Sequence, residues 1–120
     1  MGRVQKFEDL RIWQDARLLV KLIYSDFYNS SDWGFKTQIQ RAGISIMNNI
    51  SEGFERHTDA DFARFLDIAK GSCGEVRSMY YSGEDLIYIG SNVGIERREL
   101  CVSISKGIAS LTRHLRNKIN

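Results

Sequence analysis

Glu52 and Glu75 are the carboxylates that could serve as a general acid and base, work that needs one group protonated and the other ionised. Both fall on helical flanks beside Arg41 and Arg56, where a carboxylate is more simply a salt-bridge partner. Cys73 could attack as a thiolate if His57 or His114 took its proton. It shares an apolar stripe with Phe65, Ala69 and Val76, which makes it a small inert hydrophobe instead. The string Gly71, Ser72, Cys73, Gly74 misses the spacing of a nucleophile elbow and follows a helical pattern rather than a strand. The two histidines stand 57 positions apart, and neither belongs to a Glu-x-x-His or paired-cysteine pattern. The glycines are scattered, with no strand before them to make a phosphate loop. The sequence therefore predicts no catalytic residue, no metal, no cofactor and no small-molecule substrate.

Two polar constellations remain. At 100° per residue, Arg41, Ser45, Asn49, Glu52 and Arg56 form one stripe roughly 80° wide beside an apolar face rather than opposite it. Asn and Ser are mediocre helix formers, so this placement predicts side chains that bond across a helix boundary. Ser72 and Glu75, with Ile68 and Met79, flank the next apolar face. The expectation is a polar network of Arg41, Ser45, Asn49, Glu52, Ser72 and Glu75, between helices or between subunits, that fixes register more than it stabilises. The plainer alternative is a partly solvated flank. The second constellation is basic: Arg98, Lys106, Arg113 and Arg116 fall opposite the last apolar stripe, on a face about 80° wide. Repeated by symmetry, that face could hold the phosphate backbone of RNA or DNA; it could equally be a solvated or protein-contact surface.

The elements that position these residues are read from apolar spacing. Leu10, Trp13, Ala16, Leu19, Val20, Ile23, Tyr24 and Phe27 recur by threes and fours, predicting a helix over about 8–28. After the turn and cap residues Asn29 to Asp32, the series Phe35, Ile39, Ala42, Ile46, Ile50 and Phe54 predicts a second over about 32–56. Thr58 with Asp61 resembles a capping box, opening a third helix over about 59–89. Leu100, Ile104, Ile108, Leu111 and Leu115 trace a fourth over about 94–117. Short connections return each helix alongside the last, so the fold class is all-α, an antiparallel up-down-up-down four-helix bundle spanning residues 1–120 as one domain. Gly71, Gly74 and Gly83 lie inside the third helix at a cost of about 1 kcal/mol each. The series Gly74, Ser78, Ser82 would give a neighbouring helix a narrow seam.

Composition narrows the class further. There is no proline, 27% of residues are charged, and the net charge is only +2. The charge is uneven, with six Lys/Arg against two acids after residue 90 and three against six in residues 57–90. No membrane-length apolar run or signal-peptide block is present, and the two cysteines suit buried free thiols, so a cytoplasmic protein is expected.

The segment RAGISIMNNISEGFER, Arg41 to Arg56, followed by DFARFLDIAKGSCGE, Asp61 to Glu75, resembles the four-helix-bundle family encoded in intervening sequences of bacterial 23S rRNA genes. The opening FEDLRIWQDA, Phe7 to Ala16, is similar to that family's N-terminal motif. Members usually carry a proline before the second helix, where Tyr28, Asn29 and Ser30 stand here, and the fourth helix matches least. The resemblance implies a homo-oligomer, a barrel-like pentamer, and no known enzyme activity. It also implies a distant likeness to retroelement accessory proteins that bind nucleic acid. The reading that follows is a non-catalytic oligomeric module binding RNA or DNA, with a purely protein-protein scaffold as the alternative.

Overall fold

The computed structural model describes residues 4–119. Four helices follow one another: α1 (Arg11–Asp26), α2 (Trp33–Phe54), α3 (Asp59–Asp85) and α4 (Ser91–Ile119). α1 starts later than its apolar pattern because Phe7–Asp9 closes into a short 3-10 turn and Leu10 stays extended. α2 and α3 begin where their caps dictate. The Asp32 carboxylate accepts the Phe35 N–H at 3.1 Å, and the Thr58 hydroxyl accepts that of Asp61 at 3.1 Å.

α3 ends four residues before its expected limit. The Tyr88 N–H donates to the Gly83 carbonyl at 2.8 Å and the Ile87 N–H to Glu84 at 3.1 Å, the paired closure of a Schellman turn. That closure needs a left-handed residue, and here it is Ile87, with φ 60. A β-branched side chain is strained in that region, so an isoleucine 86% exposed is held in a conformation glycine adopts freely.

Each helix packs on its neighbours in chain order and α1 closes the ring against α4, giving a bundle of 46 × 22 × 21 Å. This is the up-down-up-down order that short connections require. Leu19 and Ile23, Ile39, Ile46 and Ile50, Leu66, Val76 and Tyr80, and Ile104 and Ile108 bring all four helices to one sealed core. The glycines that permit close packing are not the expected ones. A Cβ on Gly43 would stand 2.6 Å from Ile23 Cδ1, and one on Gly53 would stand 2.7 Å from Phe65 Cβ. A Cβ on Gly83 would stand 3.4 Å from the Phe27 ring, but one on Gly71 or Gly74 would meet nothing within 4 Å. The seam of Gly74, Ser78 and Ser82 thus faces outward, because α3 turns its opposite side to the core. Among the described residues, no helix is long and apolar enough to cross a membrane.

Candidate nucleic-acid interface

The antiparallel pair α3 and α4 sets the geometry of the basic surface. Near one end the Arg98 guanidinium donates to Glu84 at 2.8 and 3.1 Å; near the other, Arg116 pairs with Asp67. These two ties fix the register, and between them the helices oppose Lys70 to Arg113 and Arg77 to Lys106. Lys70 and Arg113 line one shallow groove between the helices, with Asp67, Thr112 and Arg116. Arg77 and Arg98 line a second, with Tyr81, Ile95, Glu99 and Val102. Lys70, Arg77, Lys106 and Arg113 are all exposed, and none has an ion-pair partner among the described residues. Seven residues separate Lys70 from Arg77 and Lys106 from Arg113, so the two cation pairs lie about 10 Å apart along the groove.

The ion pairs divide the expected set. Of Arg98, Lys106, Arg113 and Arg116, two are engaged: Arg98 is half-buried against Glu84, and Arg116 is spent on Asp67. A wheel of α4 alone cannot show acids that α3 supplies at the same level. Lys70 and Arg77, seven residues apart on one side of α3, add two exposed cations to that surface which the wheel of α4 leaves out.

The polar stripe between α2 and α3 is assembled only in part. The Ser72 hydroxyl donates to Ser45 Oγ at 2.8 Å, and Asn49 Nδ2 donates to the Ser45 carbonyl at 2.8 Å and to its hydroxyl at 3.0 Å. Glu75 instead accepts from Gln38, Glu52 pairs with Arg56 on its own helix at 3.4 Å, and Arg41 is exposed with no ion pair among the described residues. Register explains the split. With Ser45 level with Ser72 and Gly53 against Phe65, Glu52 and Glu75 stand roughly 15 Å apart along the bundle axis. They share neither a network nor a reaction centre.

A partly buried network lies elsewhere, among residues outside both polar constellations. Asp26 accepts from Tyr80 Oη at 2.8 Å and from Arg97 at 2.8 and 3.1 Å, tying α1, α3 and α4 together near one end of the bundle. The Tyr80 hydroxyl is pushed up by burial and then by its bond to Asp26, and Arg97 is raised chiefly by the same carboxylate. The available signal was Asp26 itself, an acid set between Ile23 and Phe27 of a core stripe.

Cys73 and Cys101 are free and buried, and burial pushes each thiol up to about 12, so neither offers a thiolate near neutrality. His57 lies exposed in the turn before α3, and His114 is exposed on α4. Among the described residues no three His, Cys, Asp or Glu side chains gather as a metal would require.

Comparison with known proteins places this architecture. No curated protein matches the sequence. A crystal structure from Bacteroides thetaiotaomicron, described as a protein of unknown function from the S23 ribosomal protein family, superposes with a TM-score of 0.79. The match covers 84% of this chain and 97% of that one at 23% identity, a likeness that shows the fold alone. The model of the 23S rRNA-intervening sequence proteins matches residues 8–110, and the chain belongs to that family.

Proposed function

We propose that this bundle is a non-catalytic, self-assembling module of the cytoplasm that binds nucleic acid across the α3/α4 face. The observation that carries the reading is the set Lys70, Arg77, Lys106 and Arg113, four exposed cations on one face with no acid paired to them among the described residues. An exposed cation paired to a carboxylate has little charge to offer a phosphate, whereas an unpaired one releases a counterion when it binds. Self-assembly, a pentamer on the family resemblance, would repeat the face and multiply its phosphate contacts. The buried free thiols suit a reducing compartment. Absence of catalysis fits carboxylates held at separate levels and thiols held protonated.

A scaffold that binds only protein is the second reading. It is favoured by the exposed side chains of Tyr28 and Ile87 on the inter-helix turns and of Trp33 at the start of α2, 70–86% accessible and available for apolar contact.

Fluorescence anisotropy with structured RNA and duplex DNA across a salt series separates the two. Nucleic-acid binding should weaken steeply with salt, and Lys106→Ala or Arg113→Ala should weaken it across all sequences while reducing the log–log salt slope by about 1 each. No binding even at low salt would leave the scaffold.

A further inference from the structure

We propose that the α3/α4 face is built for single-stranded nucleic acid, with Tyr81 as the platform on which a base stacks. The inference rests on the nucleic-acid reading above and names its ligand class. Tyr81 is nearly half exposed, and the Arg98 guanidinium carbon lies 4.0 Å from its ring centroid. That guanidinium is itself pinned by two hydrogen bonds to Glu84. The ring is thus backed by a fixed planar cation, which holds its orientation before any ligand arrives. A preorganised aromatic loses little side-chain freedom on binding, and every base offers it a π-face.

The surroundings give the strand a path. Arg77 stands one helical turn from Tyr81 on α3 in the same groove, whose apolar side is formed by Ile95 and Val102. Beyond it lie Lys106, then Lys70 and Arg113, at intervals that a sugar-phosphate backbone can follow. The opposite direction is closed electrostatically, because Asp85 is exposed one turn beyond Tyr81 at the end of α3. Glu99, at the groove edge, keeps the phosphates on the Arg77 side. A duplex would meet the same cations, yet its bases are stacked inside and cannot reach a ring on a shallow surface. Cations without the ring would bind both forms; the ring adds affinity only for strands whose bases are free.

The test uses anisotropy with labelled oligo(U), oligo(dT), an abasic deoxyribose-phosphate strand and a duplex, each about 16 nucleotides long. The unmodified protein should bind at least one of the two base-bearing single strands about tenfold more tightly than both the abasic strand and the duplex. The stronger of the two names the natural sugar. Tyr81→Leu should erase that advantage with the salt slope unchanged, and Tyr81→Phe should keep it, circular dichroism showing both variants folded. Equal affinity for base-bearing, abasic and duplex probes, or a Tyr81→Leu protein that binds as before, would overturn the stacking claim while leaving the phosphate contacts standing. Failure of every probe to bind at low salt would overturn the nucleic-acid reading itself.

Discussion

Asp26 accepts from Arg97 and from Tyr80 in the least solvated ion pair among the described residues, with side-chain exposures of 9% for Asp26 and 17% for Arg97. Removing one partner of such a pair costs more than the pair contributes, since the charge left behind keeps little water and no counter-charge. Asp26→Ala should destabilise the protein by about 3–5 kcal/mol, read as a fall in melting temperature of about 10 °C or more. Tyr80→Phe removes only one hydrogen bond and should cost about 1 kcal/mol. Equal effects from the two would mean that the charge is solvated after all. At this scale the sequence was readable where one residue's own surroundings decide its chemistry. Cys73 and Cys101 sit on apolar stripes, and burial keeps them inert. It was unreadable where a partner on another helix decides. Arg98 and Arg116 lie on an outward wheel face like Lys106 and Arg113, and only Glu84 and Asp67 distinguish them.

The starts of α2 and α3 were legible because their signals are local: Asp32 and Thr58 each cap the turn that follows them in sequence, whereas α1 and α4, with no such cap, begin three residues away from where their apolar spacing put them. The end of α3 was not. No glycine marks it, and Ile87 takes the left-handed conformation against its own preference. The pairing of helices was legible as order but not as level, which is why Glu52 and Glu75 could be drawn into one network from spacing alone. The close approaches were also misplaced, for Gly53 rather than Gly74 admits a neighbouring helix. Gly53→Ala tests this element contact. Alanine favours the helix by about 1 kcal/mol over glycine. The new methyl, however, would stand 2.7 Å from Phe65 Cβ and 3.3 Å from the Phe62 carbonyl oxygen, positions fixed by the backbone of α3. Over-packing should win, and urea denaturation should show a net loss of about 1–3 kcal/mol. A gain in stability would mean that α2 and α3 separate easily.

The order of the whole bundle followed from connections too short to cross it, and the apolar faces left one arrangement that seals them all. What one chain does not account for is the outer side of α3. Gly71 and Gly74 each forgo about 1 kcal/mol of helix stability, and neither has a neighbour within 4 Å to justify the missing methyl. Gly71 lies about 100–120° around α3 from Lys70 and Arg77, whereas Gly74 lies only about 40–60° from them, so a second copy centred on Gly71 could pack there while one reaching Gly74 would border the cations. Light scattering on the purified protein should therefore give a multiple of the 13.8 kDa chain mass, five-fold on the family resemblance. Gly74→Leu should reduce that mass towards one chain while circular dichroism stays helical, because a bulky side chain blocks the packed face without touching the chain's own core. The opposing result is equally definite. If α3 is solvated on that side, the protein runs at a single chain mass, and Gly71→Ala and Gly74→Ala each raise stability by about 1 kcal/mol, since the added methyl meets nothing.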